Sequence, residues 1–315
     1  MGNKTFLVTG AMGCIGAWVS KHLVARGERA VAFDLSADRH RLDWLMTPDE
    51  RGAISFAQGD LTDTGQVKEV FRAQGVTHVV HLAALQIPFC RANPVLGSQV
   101  NVTGTVNVFE AAREAGVQHV AYASSVAVYG PAEDYPPGPV REDALHAPRT
   151  LYGVYKMANE GTARVYWQDH GISSLALRPY TVYGVGRDQG LTSDPTKAML
   201  AAVKGEPFEI GFGGVMQFQW ASDVALQFID AAEQAREGAY VFNLGTRPAS
   251  VDEVIEMIRA VKPGAQITRK DTLLPFPESF DGSELRAHVP RVYETPLAKG
   301  IRQTMAHFEI LVLST

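Results

Sequence analysis

The chain has 315 residues, 46% of them hydrophobic and 20% charged, with a formal net charge of -5. That is the composition of an ordinary globular protein with room for two packed domains, or for one large domain with a grafted lobe. It lacks the basic excess expected of a nucleic-acid or anionic-membrane partner, and no apolar run is long enough to cross a bilayer. The two cysteines, Cys14 and Cys90, are too few for a disulfide framework and have no Cys or His neighbours at zinc-ligand spacing. A reducing, cytoplasmic setting is therefore expected, with no metal site, and no secretory leader precedes the first expected strand.

Short apolar runs at residues 6–8, 30–33, 54–56, 79–82, 120–122 and 175–177 alternate with helical patterns over the first 180 residues. Their hydrophobicity is continuous rather than alternating, as in strands buried on both faces of a parallel sheet. The expected fold is α/β, a Rossmann-type doubly wound parallel sheet that binds its ligand outside the carboxyl ends of the strands.

The first run leads directly into Gly10-x-x-Gly13-x-x-Gly16 and then into a helix. Glycines here permit a tight turn and close packing of helix on strand. The helix N-terminus offers unpaired N–H groups and partial positive charge to a pyrophosphate. Asp34 ends the second run, where a carboxylate accepts bonds from the adenosine ribose and repels a 2'-phosphate, so NAD is favoured over NADP. Arg39 and Arg41 could fold back and weaken that preference, and Asp60 ends the third run within reach of an adenine.

His81, closing the fourth run, reads as a histidine satisfied by backbone partners. The small side chains of Ala83 and Ala84 would let the chain pass close to a cofactor. Further on, Tyr152 and Lys156 stand four apart on an expected helix and so share a face, which lets an ammonium favour the ionised form of a phenol. Tyr129 and Tyr155 read as packing residues.

After Pro179 glycines and prolines become frequent, which suggests a smaller, irregular lobe. A helix is expected near 222, N-capped by Ser222 or Asp223, and residues 240–243 read as a strand able to rejoin the main sheet. The domains are thus expected to interleave. Residues 1–178 form the NAD-binding domain, rejoined by about 217–245, while 179–216 and 246–315 form a substrate-binding lobe. Ser250 and Glu253 have capping-box spacing, and Thr295-Pro296 opens a last helix with Leu297, Ile301, Met305 and Phe308 on one face.

Taken together, Thr9-Gly10-x-x-Gly13-x-x-Gly16, Asp34, Gly59-Asp60-Leu61, His81-Leu82-Ala83-Ala84, Asn101-Val102-x-Gly104-Thr105, Ser124-Ser125-x-x-Val128-Tyr129-Gly130, Tyr152-x-x-x-Lys156 and Leu177-Arg178-Pro179 resemble the extended short-chain dehydrogenase/reductases. Specifically, they are similar to the NAD-dependent epimerase/dehydratase family, which includes sugar-nucleotide 4-epimerases. The resemblance implies that Tyr152 is the acid/base, that Lys156 binds the nicotinamide ribose and lowers the tyrosine pKa, and that Ser125 hydrogen-bonds the reacting oxygen. It also implies cofactor contacts at Gly10, Gly13, Cys14, Ile15, Gly16, Asp34, Asp60, Leu61, Leu82, Ala83, Ala84, Asn101, Tyr152, Lys156 and Pro179, with Asn101 read also as a strut that holds the active-site loop. Family members pair as homodimers through helices corresponding to residues near 95–115 and 149–169.

Two departures narrow the function. Dehydratases of the family carry Asp-Glu after the catalytic hydroxyl residue, where this chain has Val126 and Ala127, so dehydration is not expected. Sugar-nucleotide epimerases commonly place a diphosphate-clamping arginine before the segment that here reads Gln217-Phe218-Gln219-Trp220, which contains none. The leading expectation is an NAD-dependent oxidoreductase acting on a secondary alcohol of a small polar substrate, a sugar, sugar acid or hydroxy acid. Its candidate substrate contacts are Gln86, Arg91, Ser125, Arg187 and Gln217. A redox-neutral nucleotide-sugar 4-epimerase with tightly bound NAD is the alternative, and a non-catalytic dinucleotide sensor is a third reading.

Overall fold

The structure is a computed structural model that describes residues 4–234 and 236–313; the outermost ends of the expected domain ranges lie outside the described residues. From the N-terminus the chain runs through β1 (Thr5–Thr9), α1 (Cys14–Ala25), β2 (Arg29–Asp34), α2 (His40–Leu45), α3 (Pro48–Gly52), β3 (Ser55–Gln58), α4 (Thr64–Gln74) and β4 (His78–His81). Next come α5 (Ile87–Ala92), α6 (Pro94–Ser98), a π-helical turn (Gln99–Thr103), α7 (Gly104–Glu114), β5 (His119–Ala123), α8 (Leu151–His170) and β6 (Ser173–Arg178). All six expected strands are present.

With β10 (Ala239–Asn243), these strands make a parallel sheet of seven among the described residues, ordered β10-β6-β5-β4-β1-β2-β3. Alternate residues of each strand enter opposite cores, which is why the runs are apolar throughout. Phe6 and Val8 join the core beneath α1, whereas Leu7 between them joins Val67, Val70 and Phe71 of α4 and Val108 and Phe109 of α7. The chain order reverses between β1 and β4, and the crevice above that point is where a doubly wound sheet binds its ligand.

The remaining elements are β7 (Thr181–Tyr183), α9 (Asp194–Lys204), β8 (Phe208–Ile210), β9 (Val215–Trp220), α10 (Ala221–Glu233), β11 (Pro248–Ser250), α11 (Val251–Val261), β12 (Ile267–Arg269), α12 (Ser283–His288) and α13 (Leu297–Leu313). Strands β11, β9 and β7 form a small mixed sheet, and β12 pairs with β8. The return toward the main sheet begins after Trp220 rather than at 217, because Val215–Trp220 is a strand of the small sheet; α10 packs on α1, and β10 then pairs with β6.

Ser222 and Asp223 do not cap α10. The N-cap is Trp220 with no side-chain bond, and the two polar residues lie inside the first turn. There they tie neighbouring elements together: the Ser222 hydroxyl meets His22 Nε2 of α1 at 2.9 Å, and the Asp223 carboxylate accepts from the Thr295 amide and hydroxyl ahead of α13. The capping box at Ser250 and Glu253 forms in both directions. Ile301, Met305 and Phe308 are buried along α13, with Leu297 half-buried at its start.

Candidate active site

A cleft of about 630 Å³ opens at the carboxyl ends of β1, β2, β4, β5 and β6. Its floor is the glycine turn. Gly10 has φ of 69°, and a Cβ there would lie 2.7 Å from the Ala83 Cα; a Cβ on Gly16 would lie 2.2 Å from the Gly10 carbonyl oxygen. Only glycine lets strand, turn and helix approach this closely. Gly13 is the N-cap of α1 and no side chain caps the helix, so the first N–H groups, around Cys14 and Ile15, remain available to an anion. The turn therefore fits a dinucleotide pyrophosphate.

Asp34 also lines the cleft, its Oδ2 accepting from Met12 N and its Oδ1 from Ser36 N, both at 2.9 Å. Of the two nearby arginines, Arg41 is engaged: it pairs with Asp188 while donating to the carbonyls of Met12 and Gly186, whereas Arg39 is exposed and stacks 3.5 Å from the ring centre of Phe56. Asp60 and Leu61 line the same end of the cleft.

His81 is held by side chains, not by the backbone. Thr105 gives its proton to the Asn101 carbonyl at 2.7 Å and so accepts from His81 Nε2 at 3.0 Å; His81 Nδ1 then accepts from Thr9 Oγ1 at 2.7 Å. Burial pushes the imidazole down to about 3, which keeps it neutral. The same Thr9 oxygen accepts from the amides of Leu82 and Ala83, fixing the segment that lines the cleft at Leu82, Ala83 and Ala84. Asn101 lies behind that segment and is not among the cleft-lining residues. Inside the π-helical turn its amide grips both backbone groups of Leu85, at 2.7 and 2.9 Å, the bracing role expected of a strut.

Ser125, Tyr152 and Lys156 converge on the cleft, with Pro179 alongside. Thr150 caps α8 through the Gly153 amide, and the absence of a side chain at Gly153 lets α8 press against Ala127, where a Cβ would lie 2.0 Å from the Ala127 carbonyl oxygen. That approach sets Tyr152 against Ser125. Burial raises the tyrosine hydroxyl to about 12, opposed by a hydrogen bond from Ser125 and by the positive charge of Arg187. The expected lowering by Lys156 is not what is found. Its ammonium is engaged by the Ala123 carbonyl at 2.6 Å, and burial brings it down to about 8.

Of the candidate substrate contacts, Gln86, Ser125 and Arg187 line the cleft. Two do not. Arg91 is exposed on α5 outside the cleft wall. Gln217 is buried in the small sheet, where its amide donates to the carbonyls of Thr246 and Phe280 and accepts from Phe280 N. Sequence reasoning missed the tie of His40 to Asp188 across the cleft mouth at 3.0 Å, and the aromatic wall of Tyr180 and Phe276. It also missed the buried pair of Glu160 and Arg178, although Glu160 follows Lys156 by one helical turn.

A family model described as the NAD dependent epimerase/dehydratase family matches residues 6–245. UDP-glucuronate 4-epimerase 4 of Arabidopsis thaliana is 30% identical over 302 residues, covering 88% of this chain and 67% of the relative. The crystal structure of Thermus thermophilus UDP-glucose 4-epimerase in complex with NAD is similar with a TM-score of 0.82 at 27% identity, covering 96% of this chain and 98% of that one. A partial consensus L-threonine 3-dehydrogenase is similar with a TM-score of 0.84 at 25% identity, covering 97% and 99% of the two chains.

Proposed function

The chain belongs to the NAD dependent epimerase/dehydratase family, and on that premise we propose that it oxidises a secondary alcohol of a small polar substrate, releasing NADH. It is an NAD-dependent enzyme of Rossmann fold. NAD supplies a hydride acceptor at its nicotinamide ring. The residues that would hold it run from Asp34, through the glycine turn, to Lys156.

This chain's own residues manage the proton. The Tyr152 oxygen takes the hydroxyl proton of the substrate, Ser125 hydrogen-bonds the same substrate oxygen, and the Lys156 ammonium holds the nicotinamide ribose. A base so positioned is worth a factor of about 100 to 10,000. Tyr180, Phe276 and Leu191 close the lobe side of the cleft and limit water.

One observation carries the choice of a small substrate. Among the basic side chains on the cleft wall, Arg41 and His40 are paired with Asp188 and Lys156 bonds Ala123, which leaves Arg187 alone for substrate. Strand β9 adds no cation, since it reads Val-Met-Gln-Phe-Gln-Trp. A sugar-nucleotide diphosphate would find a single partner here. The test is the fate of the cofactor on purification: an oxidoreductase exchanges its nucleotide and leaves the column largely free of it.

The relative named UDP-glucuronate 4-epimerase 4 supports a second reading, a redox-neutral epimerase built on the same Ser125, Tyr152 and Lys156. Such an enzyme would copurify with NAD. A homodimer, which follows the family pattern, would cover the exposed Val95 and Leu96 of α6 and Leu151, Val154, Met157 and Val165 of α8. Two cysteines, too few for a disulfide framework, are the ground for reading the setting as cytoplasmic. No helix among the described residues is long and apolar enough to cross a membrane.

A further inference from the structure

The narrowing of the substrate that follows rests on the oxidoreductase reading above. Arg187 projects from the lobe into the cleft wall. Its Nη2 donates to Thr192 Oγ1 at 3.2 Å, its Nε is buried without a hydrogen-bond partner, and among the described residues no carboxylate pairs with it. The adjacent carboxylate, Asp188, is already engaged by Arg41 at 2.6 Å and by His40 at 3.0 Å.

A guanidinium keeps its charge inside proteins, and a buried charge without a counter-ion is costly. Burial lowers the Arg187 pKa for the same reason. The cation also acts on the Tyr152 hydroxyl, which it pulls down, so acid/base and cation share one chamber. Gln86 stands beside it. A Cβ built on Gly190, whose φ of 99° suits glycine, would lie 1.9 Å from Gln86 Oε1 and 3.2 Å from Arg187 Nη2. Amide oxygen and guanidinium therefore both approach the Gly190 backbone, and both residues line the cleft.

We propose that Arg187, flanked by Gln86 and Thr192, is the receptor for a single carboxylate, and that the substrate is a hydroxy monocarboxylate whose carbinol lies against Tyr152. A guanidinium matches a carboxylate with two parallel N–H bonds, and the lone cation suits one negative charge. Arg187 also acts on Cys14 in the glycine turn, so the competing anion is the cofactor pyrophosphate, which the test must separate.

The experiment compares wild type, Arg187→Met and Arg187→Lys for NADH formation on matched pairs, each an aldonate or hydroxy acid with the corresponding uncharged polyol, alongside the NAD Kd of each protein. The expected result is a wild type that prefers the acids, and an Arg187→Met variant whose KM for them rises roughly 100-fold while its NAD Kd stays within about twofold. Arg187→Lys should recover part of the loss. The retained NAD affinity shows that the variant is folded. A tenfold weaker NAD affinity with unchanged discrimination between acid and polyol would assign the arginine to the pyrophosphate and overturn the proposal alone, as would a wild type equally fast on both partners. NADH from no alcohol, with epimerisation of a UDP-sugar, would overturn the oxidoreductase reading and the proposal with it.

Discussion

The Lys156 ammonium lies 5.6 Å from the ring centre of Tyr152, one helical turn away, and donates a 2.6 Å hydrogen bond to the Ala123 carbonyl. Lysine thus joins α8 to the end of β5, two residues ahead of Ser125. Burial has brought it to about 8, so its charge is present below that pH and lost above it. A charged Lys156 that holds the nicotinamide ribose should bind NADH less tightly as pH rises from 7 to 9.5. Fluorescence titration of NADH should show that fall in wild type and a flat profile in Lys156→Met.

Ser125 lowers Tyr152 by stabilising its ionised oxygen. Removing the hydroxyl in Ser125→Ala should raise the tyrosine pKa and leave less phenolate at any given pH. Oxidation at neutral pH should fall on the order of 100-fold, and the deficit should shrink as pH increases. The profile of kcat/KM against pH checks both, because loss of substrate positioning alone would lower the curve without moving its alkaline limb.

Glu160 accepts from Arg178 at 2.8 and 2.7 Å, and both side chains are almost fully buried. The same carboxylate accepts from Ser124, next to Ser125, so the pair locks β6, α8 and the active-site turn together. Removing one partner leaves a buried charge uncompensated. Glu160→Gln or Arg178→Met should each cost about 3–5 kcal/mol, and urea unfolding of the double variant should show less than the sum of the two.

His81 is held neutral, near 3, between Thr9 and Thr105. Its folded pKa lies below its unfolded one, so the unfolded chain binds more protons as pH falls below 6.5. The stability it contributes is complete above that pH and is lost on the way toward 3. His22, brought to about 4 by burial, adds to the same slope. Thermal melts from pH 7.5 to 4.5 should show a shallower decline in His81→Gln than in wild type, although the variant melts lower at pH 7.5.

The sheet was legible because its strands are continuous apolar runs, and the glycine turn because its spacing has a backbone meaning. That Ser125, Tyr152 and Lys156 would meet in one cleft was legible through motif and helical spacing. What escaped depends on contacts between distant segments. The strands β7 and β11 have three residues each, too short for a periodic signal, and their register on β9 decides that Gln217 points into the small sheet. The tie from Arg41 and His40 to Asp188 spans about 150 positions of chain, so nothing local announces it. The capping expectation at Ser222 and Asp223 failed because tertiary partners, His22 and Thr295, outcompeted the helix end.

The most direct test of the account is absorbance at 340 nm, with purified protein and NAD, on sugars, aldonates, uronates, hydroxy acids and UDP-sugars, using Tyr152→Phe as the blank. NADH should accumulate with a small hydroxylated substrate class in wild type and not in the variant, whose NAD binding should be intact. A silent panel, with retained NAD and conversion of a UDP-sugar to its 4-epimer, would contradict the account.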